Sequence, residues 1–412
     1  NNQLIKKHFS RIFTLKLILS LFYLLILIFV GFLFDFSLSE IKWLVIIGFN
    51  QVLVGIILYL RSNLSALLLF KRDGLLSVID RLILILFCGY FIWVKTNHSF
   101  ITIDFFILSQ TFAYLLTISI GLFSLIKFSK IPKIQWDKLF FVLIIKKSIP
   151  YAILIFLMSV YYYSDVIMVE KIRSNIEVVS YAYGYRFFMA FNMLGFLFAG
   201  LLLPIFSKLI AEKRSVIPVS WLSFKLIYFF AFVIFMSIWT YKSEILNWRY
   251  GITSSVLEHS SEAFGWLMVS FIAISCNYIF GTLLTANGSL KSLNILAVFG
   301  IIINIFLNLF LIPKSGSVGA AFASAFTQFF ILIVQFILCF KYFKFRYHIF
   351  SIVQVLSFTL LSIFGAHNLN VLSSVNWNYK ILITVCMGFF IGLVLKLINL
   401  KEFYLLIKTS KS

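Results

Sequence analysis

The chain has 412 residues, of which 62% are hydrophobic and only 12% are charged, against roughly a quarter charged for an ordinary soluble domain. This composition excludes a water-soluble globule. The 35 Lys and Arg outnumber the 14 Asp and Glu, which gives a formal net charge of +21. The basic residues stand between long uncharged runs, as loop charges do in a protein that crosses a membrane many times. They therefore do not indicate a nucleic-acid partner.

Twelve apolar segments, each near the ~20 residues that a membrane span needs, predict twelve transmembrane helices. They cover residues 12–34, 41–60, 75–94, 101–128, 139–163, 178–209, 217–241, 263–286, 293–312, 318–340, 349–365 and 381–398. The stretch 61–74 either extends the second helix past the bilayer or lies along its surface. The predicted class is an all-α polytopic membrane protein.

The basic residues also predict the orientation of the chain. If the N-terminus is cytoplasmic, 25 of the 35 Lys and Arg fall on the inner side and 8 on the outer side, while Arg186 and Lys225 remain within spans. Because positive loops stay in the cytoplasm, both termini are predicted to be cytoplasmic. The chain starts with Asn1 rather than Met, and its first apolar segment lacks a small-residue cleavage site, so we expect that the natural N-terminus is missing.

Catalytic and metal sites are not expected. The longest predicted outer loops, residues 242–262 and 367–380, hold no cluster of His, Asp or Glu that resembles a catalytic site. All four cysteines lie in apolar stretches without a Cys-x-x-Cys pair, which predicts neither a disulfide framework nor zinc; they are Cys88, Cys276, Cys339 and Cys386. We therefore expect no enzyme, no metal and no cofactor.

Two cations lie deep in predicted spans. A charge near the middle of a bilayer costs about 2.5–3.5 kcal/mol even on the most lenient scale, so it is a functional candidate by default. Arg186 and Lys225 each lie about eight residues inside a span. Either side chain lines a water-filled substrate cavity or extends to the nearer membrane surface.

The other polar candidates lie near span ends or in pairs. Asp80 and Arg81 are adjacent and point to different faces of a helix, so we expect separate partners, with Arg61 as a neighbour only if the fold brings it close. The alternative role is a structural network at the inner end. Asp165 follows the end of a predicted span, where its alternative role is a solvated outer cap.

The most informative stretch, residues 287–328, reads NGSLKSLNILAVFGIIINIFLNLFLIPKSGSVGAAFASAFTQ. Pro313 ends a helix, Gly316 and Gly319 permit a turn, and the alanines that follow allow close helix contact, which together predict a tight membrane hairpin. Asn304 and Asn308 share one helix face, as substrate-binding residues or as hydrogen-bonding residues between helices.

This order of features resembles the polysaccharide (O-antigen or capsule, Wzx-like) flippases of the multidrug/oligosaccharidyl-lipid/polysaccharide exporter superfamily. Residues 164–188, with an Asp at a helix end and a Tyr-x-x-x-x-Arg helix, followed by Leu203-Pro204-Ile205, are similar to the start of the second lobe in those flippases. Residues 61–81 resemble their corresponding loop.

The resemblance implies a two-lobed transporter fold of the MATE/MurJ-like type, with 14 helices in the full-length protein. Residues 1–138 would form an N-terminal lobe without its first two helices, residues 139–346 the C-terminal lobe, and residues 347–412 an additional helix pair. It also implies that an arginine at the position of Arg186 lines a central cavity.

The implied function is transfer of a polyprenyl-diphosphate-linked oligosaccharide across the bacterial inner membrane for lipopolysaccharide, capsule or exopolysaccharide assembly. Its partners would be the lipid-linked oligosaccharide, membrane lipids and polysaccharide assembly proteins. The compact double negative charge of a diphosphate suits fixed Arg and Lys side chains. The predicted substrate-binding residues are Arg186, Lys225, Arg61, Arg81, Asp80, Asp165, Asn304 and Asn308.

Two alternatives remain open. A cation-coupled small-molecule exporter of the same superfamily would need carboxylates inside the membrane, and only Asp80 and Asp104 fall within the predicted spans, each near an end. A membrane glycosyltransferase or glycan polymerase would need an acidic or Arg-rich outer loop, which the sequence does not show.

Overall fold

The computed structural model describes residues 2–67, 69–93, 102–126, 133–173, 175–252, 255–345, 349–371 and 376–397. These residues form twelve helices: α1 (Asn2–Leu33), α2 (Leu38–Ala66), α3 (Phe70–Trp93), α4 (Ile103–Ile126), α5 (Lys138–Ile172), α6 (Asn175–Ala211), α7 (Ile217–Thr240), α8 (Lys242–Tyr250), α9 (Ser255–Ala286), α10 (Leu290–Phe343), α11 (Ile349–Val371) and α12 (Trp377–Val394). Four predicted span ends, Val94, Ile101, Phe128 and Ile398, lie outside the described residues, as does residue 347, where the third predicted segment begins.

Eleven of these helices are long and apolar enough to cross a membrane. The short α8 is the exception among the described elements, and the 54-residue α10 contains two predicted spans. Each of the twelve predicted spans therefore falls in a helix, which confirms the all-α polytopic class. The stretch after residue 60 continues α2 as far as Ala66, and α3 begins at Phe70.

The predicted end of the fifth span and the predicted outer loop before the eighth span were wrong. α5 continues to Ile172 rather than ending near residue 163. The predicted outer loop 242–262 instead contains α8 and the first turns of α9, which begins at Ser255. Hydropathy ends a span where polar residues begin, but a helix continues as long as its backbone hydrogen bonds are made and its polar side chains find partners.

The predicted hairpin is formed by the two arms of α10, residues 290–315 and 317–343. Gly316 separates them with φ 54° and ψ −131°, a backbone conformation that favours glycine. The arms run antiparallel, since the Ser292 and Tyr342 hydroxyls are 3.0 Å apart. Gly319 lies so close to the first arm that a Cβ there would be 2.5 Å from the carbonyl oxygen of Leu311. The turn is as predicted, although the first arm continues past Pro313, which was expected to end the helix, to residue 315.

Two charged side chains from the α5–α6 connection hold the two ends of this turn. Arg173 donates to the carbonyl oxygens of Ile312 and Pro313 at 3.1 and 2.6 Å. Glu177 accepts from the backbone N–H and the hydroxyl of Ser317 at 2.9 and 2.7 Å. A cation at a helix C-terminus and an anion at a helix N-terminus both complement the helix dipole. Because of these contacts, the hairpin is fixed to the α5–α6 connection.

The chain divides into two compact units, Asn1–Lys147 and Ser148–Ser412. In the first unit, α2 contacts α1, α3 and α4, and Asn50 on α2 accepts from Thr111 on α4 at 2.7 Å. In the second unit, the deeply buried α9 contacts α6, α7 and α10. The α11–α12 pair contacts α7 through a cluster centred on Phe229 and Phe358.

The substitution Gly316→Ala is expected to lower the free energy of unfolding by about 1–3 kcal/mol, the cost of an unfavourable backbone conformation. The added Cβ would also lie 2.5 Å from Oε2 of Glu177 and displace that carboxylate from Ser317. Thermal unfolding in detergent measures the effect. Gly74→Ala is the matched control, because a Cβ there meets nothing within 4 Å. Equal unfolding midpoints for the two variants would contradict this account of the turn.

Candidate functional site

The side chain of Asp165 is the centre of the candidate site in the second unit. It lies on α5, well before the end of that helix at Ile172, and only 2% of its surface is exposed. The alternative role as a solvated outer cap was therefore wrong. A carboxylate this deep in a membrane helix is expensive to keep charged, so its surroundings decide what it does.

Four neutral side chains converge on this carboxylate and on each other. Asn308 donates to Oδ1 of Asp165 at 2.7 Å, and Tyr181 donates to Oδ2 at 3.1 Å. Ser324 also donates to Oδ2, and Asn304 accepts from Asn308 at 3.2 Å. The helix α5, the helix α6 and both arms of α10 therefore meet at one polar cluster. We call these five residues the Asp165 cluster.

The Asp165 cluster contains no basic side chain within ion-pair distance of the carboxylate, in the part of the chain that the structure describes. A buried charge without a partner is strongly disfavoured, and the group then takes up a proton or pairs with a cation. A space of about 10 Å³ adjoins Asp165, Tyr181 and Ser324, which is near the smallest volume that holds one water molecule. The cluster can thus carry one proton or one small monovalent cation.

The oxygen atoms of the cluster are suited to binding a small monovalent cation. Oδ1 of Asn308 is buried and has no hydrogen-bond partner among the described residues. Together with the carboxylate it provides hard oxygen ligands, which alkali and alkaline-earth cations prefer to nitrogen or sulfur. In the described ranges, no three or more His, Cys, Asp and Glu side chains are grouped so that they could hold a metal ion, and the oxygen set of the cluster is not that of a transition-metal site.

Arg186 lies on α6 with an exposed side chain. Met193 and Gly200 follow it at seven-residue intervals, so all three residues lie within about 40° of one another around the helix axis, and Met193 is 63% exposed. No hydrogen bond or ion pair joins Arg186 to the Asp165 cluster among the described residues. Its guanidinium makes no ion pair with any described carboxylate.

Lys225 lies on α7 and is half-buried. Its ammonium group likewise makes no ion pair within the described ranges. Arg186 and Lys225 are on different helices of the second unit, and within the described ranges no hydrogen bond or ion pair joins them to each other or to the Asp165 cluster. Their predicted role in substrate binding therefore remains a prediction.

The first unit holds the other three charged candidates. Nε of Arg61 lies 2.8 Å from Oδ1 of Asp73, and the Ser65 hydroxyl donates to the other carboxylate oxygen at 2.7 Å. Arg61 thus pairs with Asp73 and not with Asp80. Contrary to the expectation of separate partners, Nε of Arg81 lies 3.6 Å from Oδ2 of Asp80, because long side chains from adjacent positions curve around the helix. Arg81 is 74% exposed, so this pair contributes little to stability.

Several site residues were not predicted. Ser324 lies in an alanine-rich arm whose buried polar positions 317, 324, 327 and 328 follow a helical spacing, which is the signal that sequence reasoning could have used. Lys16 was not among the predicted site residues, although it lies inside the span of α1, which begins at His8. A Cβ at Gly55 would be 3.4 Å from Nζ of Lys16, so the glycine makes room for this lysine between α1 and α2.

Comparison with solved structures identifies a similar architecture. The chain superimposes on a structure described as "Lipid II flippase MurJ, inward closed conformation" with a TM-score of 0.68, and the match covers 93% of this chain and 82% of that one. The two chains share a fold. Their sequences are 17% identical, so the likeness concerns architecture alone. No protein-family model matches the sequence, and no curated protein matches it as a relative.

The substitution Asp165→Asn is expected to remove a dependence of stability on cations. A ligand that binds the folded state alone stabilises it by about 2.7 kcal/mol at one hundred times its dissociation constant. If the cluster binds Na⁺, the unfolding midpoint of the unchanged protein should therefore be higher in NaCl than in choline chloride at equal ionic strength. If it binds a proton, the midpoint should rise on acidification at fixed salt. The midpoint of Asp165→Asn should show neither response.

Asp104→Asn is the matched control for this experiment. Asp104 is also an in-span carboxylate, but it accepts from the indole N–H of Trp43 at 2.7 Å in the first unit. The control should keep the salt or pH response of the unchanged protein. If Asp165→Asn keeps it as well, the ion or proton binds elsewhere.

Proposed function

We propose that this protein is a flippase that moves a polyprenyl-diphosphate-linked oligosaccharide from the cytoplasmic to the outer leaflet of the bacterial inner membrane. The observation that carries the proposal is the fold it shares with a lipid II flippase over 93% of its length. The sequence pattern of residues 164–188 and 287–328 supports the narrower assignment to lipopolysaccharide, capsule or exopolysaccharide assembly, with assembly proteins as further partners.

The proposed substrate has an anionic head and an apolar tail, which determines the side chains that are needed. Arg186 and Lys225 are the proposed partners of the diphosphate, since charge-assisted hydrogen bonds are strongest where water is excluded. The exposed guanidinium of Arg186 is free to bind such a ligand. Arg61, Arg81 and Asp80 are proposed to contact the head group at the inner end of the first unit. The tail would remain in hydrocarbon while the head crosses.

The Asp165 cluster is the proposed energy-coupling site. Binding of a proton or cation there changes the charge at the point where α5, α6 and both arms of α10 meet, so it can bias the chain between two arrangements of these helices. Asp165, Asn304 and Asn308 then act in transport by holding the coupling ion rather than the glycan. The protein is a transporter and not an enzyme in this proposal, a multi-pass protein with both termini of this chain in the cytoplasm.

A second candidate function is cation-coupled export of a small molecule. One observation favours it. Such an exporter needs a carboxylate inside the membrane, and Asp165, which the sequence did not place within a span, is buried inside a membrane helix. The two functions share the coupling site and differ in the cargo.

Complementation of a flippase-deficient strain tests the role of Arg186. Arg186→Ala should abolish or strongly reduce surface glycan, because the head group loses a charge-assisted contact worth about 1.5–3 kcal/mol, whereas Arg186→Lys should retain part of it. Arg249→Ala is the matched control, since Arg249 is an exposed arginine on α8, outside the candidate spans. Normal glycan with Arg186→Ala at normal protein abundance would refute the assigned role.

Reconstituted vesicles distinguish the two cargoes. The unchanged protein should move a fluorescent lipid-linked oligosaccharide between leaflets, and Asp165→Asn should slow that movement about tenfold or more when an ion gradient drives it. Movement of small organic cations without movement of the lipid-linked oligosaccharide would favour the second function.

A further inference from the structure

The second unit contains an apolar cavity of about 410 Å³ between α5, α6, α9 and α10. Its walls are mainly aliphatic and aromatic side chains, among them Leu154, Leu157, Phe196, Leu293, Leu296 and Ile331. No lining residue is charged. The volume is that of a site for a small ligand or for part of a larger one.

The cavity reaches the surface of the second unit within the span region. Three of its lining residues are substantially exposed, Met158 on α5 at 41% and Phe196 and Leu203 on α6 at 62% and 39%. Gly200 lies at this opening, and a Cβ there would meet nothing within 4 Å. The opening lies well inside the spans of α5 and α6 and is surrounded by exposed apolar side chains, so it suits the entry of an apolar molecule.

Most of this cavity is a poor site for water, because its walls are mainly apolar. Its polar wall is confined to one side: Asn277 donates to Oε1 of Gln328 at 2.8 Å and to the backbone carbonyl of Gln328 at 3.2 Å, while Oδ1 of Asn277 and Oε1 of Gln335 are buried without a partner among the described residues. Apolar cavities remain dry and bind apolar molecules, and folded proteins have few empty spaces of this size. A hydrocarbon group fits these walls better than a sugar or a diphosphate.

The position of Arg186 indicates which hydrocarbon this is. Arg186, Met193 and Gly200 follow one another on the same side of α6, and Gly200 lies about 21 Å along the helix from Arg186. A lipid with its anionic head at Arg186 can therefore extend its chain over Met193 and into the opening beside Gly200. A long-chain lipid phosphate has both features in one molecule.

We propose that this cavity binds a segment of the polyprenyl chain of the carrier lipid while the diphosphate head contacts Arg186. This inference rests on the proposed flippase function and adds a site for the tail to it. The cavity gives the apolar chain a fixed position beside α6, so the head and the tail are recognised by one helix.

Photolabelling tests the site without requiring transport. A polyprenyl phosphate with a diazirine in its chain is added to the purified full chain in lipid nanodiscs, and labelled peptides are mapped by mass spectrometry. Labels are expected on peptides that contain Met158, Phe196 and Leu203. Gly200→Leu should reduce them about tenfold, since its side chain takes the place of about two methylene groups of the ligand.

Gly74→Leu is the matched control, because that helical glycine in the first unit also has nothing within 4 Å of an added Cβ; its labelling should equal that of the unchanged protein. Ala297→Leu narrows the cavity from α10 and should reduce labelling as Gly200→Leu does. Thermal unfolding checks that all three variants are folded. Undiminished labelling in both cavity variants would overturn the proposal.

A phosphatidylglycerol with a diazirine in its acyl chain identifies the source of the hydrocarbon. Preferential labelling of the cavity by this phospholipid would also overturn the proposal, because the site would then hold a bilayer lipid. The complementation assay with Arg186→Ala is independent of the label. Absent cavity labelling of the unchanged protein, together with loss of surface glycan in Arg186→Ala, refutes the tail site alone. Cavity labelling of a protein that moves no lipid-linked oligosaccharide in vesicles refutes the function alone.

Discussion

The turn at Gly316 is the constraint on which the candidate site depends. Asn308 and Ser324 each lie eight residues from this glycine, on opposite arms of α10, so the antiparallel hairpin brings them to the same level. Arg173 and Glu177 bind the two sides of the turn and thereby fix the α5–α6 connection to it. Asp165 and Tyr181 flank that connection and therefore reach the same level. One backbone conformation thus positions four side chains from three helices.

The sequence predicts the helices well because a membrane span requires a long run of apolar residues, which is easily recognised. Every described span coincides with an apolar run, since a chain in hydrocarbon must satisfy its backbone hydrogen bonds internally. The hairpin was also predictable, because Pro313, Gly316 and Gly319 are local features with local consequences. Helix ends were less predictable. Ser164 and Asp165 lower hydropathy and suggest the end of a span, whereas in the structure Ser164 donates to Asn304 at 3.2 Å and Asp165 accepts from Asn308, Tyr181 and Ser324.

The chemical environment of the site could be predicted only in part. Asp165, Asn304 and Asn308 were all candidates, yet their contact joins positions 143 residues apart along the chain, a separation that no local pattern encodes. Ser324 is inconspicuous among small residues, and the role of Tyr181 depends on which way its hydroxyl points. The pairing of Arg61 with Asp73 joins positions twelve residues apart. It was missed because Asp73 precedes the predicted third span, and hydropathy alone does not show that α3 begins at Phe70 and holds Asp73 in its first turn.

The neutral character of the donors around Asp165 has a kinetic consequence. Hydroxyl groups of Ser324 and Tyr181 can donate or accept by rotation about a single bond, and such rotations need no backbone movement. Arrival or loss of a proton or cation can therefore be accommodated within the cluster on the timescale of side-chain motion, which is far shorter than the microseconds to milliseconds of collective helix movement. In the proposed transport cycle, ion exchange at this site would therefore remain close to equilibrium, and the slower helix movement would limit the turnover rate.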